Sequence, residues 1–238
     1  MILRLIIPAL PLLLVSCSSL ESVENKIKPE TNVYLGENNV LHYDGRINKG
    51  ANLRIFSLYQ SLKTKPTMLK ITSKGGPVLE GIKLGHWVYD NKLDVTVGKG
   101  CASSCANYIF PAGRNKYLQK DSMLIWHGNS YQSDFDDLVR KGEPRAVKVR
   151  EKENAFYRKI NVHPLLAEYG HKEFTVWNFL YRYFKETVGF DYSLDDMKKF
   201  NITNVKLIDG AWEWRKYNSN YHVIRVEVEE NDLEPFSS

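Results

Sequence analysis

At 238 residues with 43% hydrophobic content, the chain carries enough apolar material for one core of α/β size and too little for two. Its formal charge of +5 is spread along the sequence rather than gathered on an arginine-rich face, and no helix-turn-helix or zinc-finger spacing occurs, so a nucleic-acid partner is not expected.

Residues 1–20 (MILRLIIPALPLLLVSCSSL) combine one early positive charge with an apolar run too short for a convincing membrane span. The run stops at Leu14-Val15-Ser16-Cys17, a lipobox of the kind cut by bacterial lipoprotein signal peptidase. The expectation is therefore a signal peptide over 1–16, lipidation of Cys17, a polar tether to residue 30 and a folded domain over 31–238. Ser18 rather than Asp after the cysteine points to the outer membrane, facing the periplasm. An ordinary secretory signal with a chance cysteine is the alternative.

Residues 32–35 and 40–43 read as strands, and Asp44-Gly45-Arg46-Ile47 turns into a helix through Leu53, Ile55, Phe56, Leu58 and Leu62. A strand at 68–72 (MLKIT) runs into Ser73-Lys74-Gly75-Gly76-Pro77 and a helix through Val78, Ile82, Leu84 and Val88. A third strand, 93–97, enters GKGCASSCANYIFPAG at 98–113, and an apolar run, 123–126 (MLIW), ends in His127. Alternation of strand and helix predicts a mostly parallel sheet covered by helices, with binding groups at the carboxyl ends of strands. Gly75, Gly76, Ser104 and His127 all fall there. A serine at such a turn is either a helix cap or a nucleophile beside bare backbone N–H groups, and a histidine closing the next strand is placed to take its proton.

These segments resemble the ClpP/crotonase-like superfamily, most closely the Clp protease proteolytic subunit. SKGGPVLEG is similar to that family's Ser-Pro-Gly-Gly-Ser-Val turn and helix. Gly100-Cys101-Ala102-Ser103-Ser104-Cys105 is similar to its Gly-x-Ala-Ala-Ser-Met elbow, and Ala112-Gly113-Arg114 to its Ala-Gly-x-x-x-Arg turn. The resemblance spans roughly residues 45–205. It implies Ser104, rather than Ser103, as nucleophile and His127 as base. The Gly75-Gly76 turn and Cys105 would form the oxyanion hole, with the N–H groups of Gly76 and Cys105 named as donors. It implies a peptide or other acyl substrate, no cofactor, and a helical extension after the histidine used in homo-oligomer contacts. The family's catalytic aspartate aligns near Gly189, so Asp191, with Glu186 behind it, is the nearest substitute; a solvated turn residue is the other reading of Asp191. Two function classes follow: a membrane-anchored periplasmic serine hydrolase of peptidase type, or a catalytically inactive scaffold or binding lipoprotein on the same fold. A crotonase-type acyl-CoA enzyme fits export poorly, and the Ser-Lys arrangement of signal peptide peptidases lacks the strand-end histidine.

Cys101 and Cys105 flank Ser104, and in an oxidising compartment they are expected either to close a small disulfide across the turn or to pack as two buried thiols. Residues 128–137 read as a polar loop over the site and 138–160 as helix broken at Gly142-Glu143-Pro144. Residues 175–184 read as an aromatic-rich helix. His163, Glu168 and His171 do not follow a zinc spacing, so no metal is expected; His42, His86 and His222 stand alone. The resemblance implies a helix from Ser193, and 208–229 alternate as a C-terminal β-hairpin turning at Asn218-Ser219-Asn220.

Overall fold

The computed structural model describes residues 31–173 and 187–233. The leader, Cys17, the tether, Glu186 and the helix expected at 175–184 lie outside the described residues. Within them the chain is α/β, with a mixed, mostly parallel seven-stranded sheet covered by helices.

Strand β1 (Thr31–Leu35) pairs antiparallel with β2 (Val40–Gly45). Helix α1 (Lys49–Ser61) follows, opened by Asn48, whose side chain accepts from the Ala51 N–H at 2.9 Å. Then come β3 (Met68–Ser73), α2 (Val78–Asp90) and β4 (Asp94–Ala102), giving parallel pairs β2/β3 and β3/β4. Leu41, Tyr43, Leu69, Ile71, Val95 and Val97 are fully buried along these three strands and form the centre of the core.

The second edge of β4 is shared by two short strands. Its first half pairs with β5 (Lys116–Leu118) through Val95 to Val97, and its last residues pair with β6 (Met123–Ile125), Gly100 opposite Met123 and Ala102 opposite Ile125. The three-residue β5 is too short to leave a periodic trace in sequence. β8 (Val205–Leu207) lies outside β5.

Helices α4 (Ser133–Arg140) and α5 (Pro144–Ile160) follow β6, broken where the Gly142-Glu143-Pro144 signal falls. α5 has Pro144 in its first turn and stops at Asn161, which takes the left-handed conformation. Helix α6 (Leu194–Lys199) begins as expected at Ser193, whose Oγ accepts from the Asp196 N–H at 3.0 Å.

The C-terminal hairpin is not formed. The alternating residues at 222–226 do make a strand, β9 (His222–Val226), but it pairs parallel with β7 (Thr187–Tyr192) in a separate two-stranded sheet. Helix α7 (Trp214–Tyr217) occupies the stretch that the hairpin's first strand would need. Alternation reports a half-buried strand without naming its partner, and a side-chain pattern alone does not distinguish a local from a distant pairing. The main sheet and this second sheet meet where Trp126 and Phe190 exchange two backbone hydrogen bonds of 2.9 and 2.8 Å.

Candidate active site

Register brings Ser104 and His127 together. Ala102 and Ile125 face each other at the ends of β4 and β6, and Ser103 N–H donates to the Ile125 carbonyl at 3.1 Å. Ser104 and His127 each stand two residues beyond that matched pair, on chains an inter-strand spacing apart. Both line one cavity of about 190 Å³, together with Gly76, Asn107 and Gln132.

Past β4 the chain turns sharply. Ser103 holds φ at +56°, an uncommon value for a residue with a side chain, and the chain enters a wide π turn, Cys105–Ile109, that leads into α3 (Phe110–Ala112). Cys101 and Cys105 are joined as a disulfide, their Cα atoms 5.2 Å apart, so the bridge ties the end of β4 to the first residue of the turn. Helix α2 approaches this turn through Gly81, where a Cβ would fall 2.7 Å from the Tyr108 ring and 2.8 Å from the Ser104 Cβ. Only glycine permits that contact.

The Ser104 side chain is almost wholly buried, and its hydroxyl donates to the Gly76 carbonyl at 2.7 Å rather than to His127. Of the three residues expected at the oxyanion hole, Gly75 has its N–H taken by Ser73 Oγ at 3.1 Å. The N–H groups of Gly76 and Cys105 carry no hydrogen bond among the described residues. Two amides free to hold an oxyanion therefore flank the serine.

His127 is exposed by surface area, yet the atoms packed around it desolvate the ring enough to lower its pKa below the usual histidine value. Its own backbone raises it in part, and His171 lowers it further. His171 Nε2 lies 2.8 Å from the His127 carbonyl oxygen. An imidazole held neutral near pH 7 is the form a general base requires.

The expected acid is elsewhere. Asp191 is fully buried, and its carboxylate accepts from Trp214 Nε1 at 2.9 Å and from both Arg215 and Arg225 at 2.6–3.2 Å. Both oxygens are committed to binding α7 and β9 to β7. Gly189, where the family pattern has its aspartate, does reach the site: a Cβ there would lie 3.2 Å from the His127 Cβ. That Cβ would also fall 2.2 Å from the Trp126 carbonyl oxygen, and φ at this residue is +147°. The Trp126–Phe190 bridge thus requires glycine at the position from which a carboxylate would meet the imidazole.

The segment after His127 is not a loose cover. Asn129 and Ser130 are buried, Asn129 Nδ2 donates to the Pro164 carbonyl at 3.0 Å, and Ser130 N–H donates to the buried Glu153 carboxylate at 3.1 Å. Ser130 Oγ also bonds Glu153 and accepts from Arg150 Nε at 2.8 Å. Burial raises the Glu153 pKa, opposed by its bonds to Ser130 and Tyr108. The polar stretch 128–137 reads as loop from sequence, but residues 133–137 open α4, and the partners of 128–131 lie on α5, at Pro164 and at Asn107, out of local view.

A larger cavity of about 770 Å³ opens on the other side of the turn and shares Gly76 and Ser103 with the smaller one. Met123 and Ile125 give it an apolar wall, and Arg46, Lys74 and Lys99 stand exposed around it. Among the described residues no cluster of three or more metal-ligating side chains occurs, and no helix is long and apolar enough to cross a membrane. His163 accepts from the Leu165 N–H through Nδ1 at 3.2 Å, whereas His171 reaches the His127 carbonyl, so the two take separate places.

Sequence reasoning missed Asn107. It is buried on the π turn, and its Nδ2 donates to the Gly128 carbonyl at 2.9 Å, tying the turn to the residue after His127. A polar amide in an otherwise apolar run, three residues after the serine, was the available signal. No protein-family model and no curated protein sequence matches this chain.

Proposed function

We propose that the chain is a serine hydrolase of peptidase type with the ClpP/crotonase-like fold, exported and held at a membrane facing the periplasm by lipid on Cys17. One observation carries the proposal: the β4/β6 register sets Ser104 and His127 at a single cavity whose neighbouring Gly76 and Cys105 amides are free of partners among the described residues.

The chemistry begins with rotation of the Ser104 side chain to another staggered well, releasing its bond to the Gly76 carbonyl, a net cost of about 1 kcal/mol. His127 then takes the hydroxyl proton as Oγ bonds to the substrate carbonyl carbon, and the Gly76 and Cys105 N–H groups hold the resulting oxyanion. Collapse breaks the bond to the leaving amine or alcohol, which receives the proton from the imidazolium. Water, deprotonated by His127, releases the acyl group and restores the serine.

A scaffold without turnover is the second reading. The glycine at 189 and the engagement of the Ser104 hydroxyl by Gly76 favour it. Labelling with a fluorophosphonate separates the two. The hydrolase reading expects an adduct on the wild-type protein that is lost in Ser104→Ala and retained in Ser103→Ala. No adduct on the wild-type protein supports the scaffold, and an adduct lost only in Ser103→Ala moves the nucleophile to the neighbouring serine.

A further inference from the structure

We infer that Asn107 is the third member of the site: a positioning residue whose Oδ1 accepts the N–H of the His127 imidazole. Its role in turnover rests on the serine-hydrolase reading; the contact itself does not.

Asn107 is 2% exposed and lines the cavity with Ser104 and His127. Its amide orientation is fixed, because Nδ2 donates to the Gly128 carbonyl and the flipped amide would set oxygen against oxygen. Oδ1 is thereby turned away from Gly128, and it is one of three buried side-chain polar atoms among the described residues with no hydrogen-bond partner. Such an acceptor is costly to leave unmade, and an orphan at a cavity is where a working contact is to be sought.

The donors at this cavity narrow the choice. The Ser104 hydroxyl is on Gly76, and the Ser130 hydroxyl is held by Glu153 and Arg150. Gln132 is half-buried and packs its Oε1 against Gly128. Asn129 Nδ2 is on the Pro164 carbonyl, and the donors left are the Ser103 hydroxyl and the His127 imidazole, of which the imidazole is the one next to Gly128. It belongs to the residue directly before the carbonyl that Asn107 already holds, and beyond its own backbone the ring has no hydrogen-bond partner among the described residues. An imidazole between Ser104 on one nitrogen and Asn107 on the other follows the nucleophile–base–orienter order, with a neutral amide as orienter. It also answers the glycine at 189, since tautomer control no longer needs a carboxylate from β7. A neutral orienter leaves the imidazole without an anion to raise its pKa, which agrees with the direction found for His127.

The titratable neighbours to be held apart in a test are His171 and Glu168 on the segment packed against residues 127–128, and Glu153 and Arg150 on α5. The test is ¹⁵N NMR of the imidazoles in the folded protein, with His127 assigned by His127→Gln. The wild-type ring is expected in one neutral tautomer, and Asn107→Ala should mix the tautomers. Asn107→Asp, nearly isosteric, should raise the His127 pKa by about one unit or more, because it puts a carboxylate beside the ring. Labelling by fluorophosphonate should slow at least about tenfold in Asn107→Ala and recover in Asn107→Asp. If Asn107→Ala does not fold, Asn107→Asp alone decides the contact. A His127 pKa and tautomer unmoved by Asn107→Asp overturn the proposal. Absence of labelling in the wild-type protein, with the NMR changes intact, overturns the hydrolase reading and leaves the contact standing.

Discussion

Ser104 and His127 are each poised by their surroundings rather than by each other. The serine hydroxyl rests on the Gly76 carbonyl, and the imidazole sits where burial lowers its pKa below the ordinary value of 6.5. The rate of fluorophosphonate labelling should therefore rise with pH through a midpoint below 6.5; a midpoint above that value would show an anion beside the ring and contradict the neutral-orienter account. The same shift has a sign for stability. Between 6.5 and the lower folded value, the unfolded chain binds the proton more readily than the folded one. The contribution of His127 is whole above the unfolded value and is lost as pH falls through that window, as urea titrations of wild type and His127→Gln would register. His127 was legible in sequence as the close of a short apolar strand, and Ser104 through the likeness of residues 100–105 to a known elbow. Asn107 was not, because its value lies in an unpaired oxygen, and pairing is a property of space.

At the scale of elements, the turn from β4 into the π helix is held by the Cys101–Cys105 bridge and by the close approach of α2 at Gly81. The bridge closes a small loop, so replacing both cysteines by serine should cost about 2 kcal/mol of unfolding free energy, measured by denaturant titration. If the bridge also aims Ser104, labelling should slow by more than that stability loss explains in protein still fully folded. Equal labelling rates would reduce the bridge to a staple. The helix start at Pro144 follows local chemistry and was readable as such, that at Ser193 was read through the resemblance, and the Asn48 cap was not read. The C-terminal strand was readable as a strand and misread in its partner, since β7 lies far upstream and only the folded chain sets it beside β9.

Over the whole molecule, the arrangement that matters is one strand with a divided edge. Because β4 gives its first half to β5 and its end to β6, the turn bearing Ser104 opens directly beside the residue that follows Trp126. The second sheet then closes on that edge through Trp126 and Phe190, secured by the Asp191 carboxylate between Arg215 and Arg225. Asp191→Ala should cost about 2–4 kcal/mol of stability, reduced from a fully buried pair because both arginines are partly solvated. It should leave the His127 titration in place while the protein is folded. A change in that titration instead, without loss of stability, would return Asp191 to the site. The parallel α/β plan was legible from alternating strand and helix signals, whereas the divided edge was not, since β5 is three residues long and nothing local sets β6 beside the end of β4.

The most direct measurement is peptide mapping by mass spectrometry of the folded protein after reaction with a fluorophosphonate. The account predicts one adduct, on the Ser104 hydroxyl, lost on His127→Gln. An unmodified protein, or a label carried by any other residue, contradicts it.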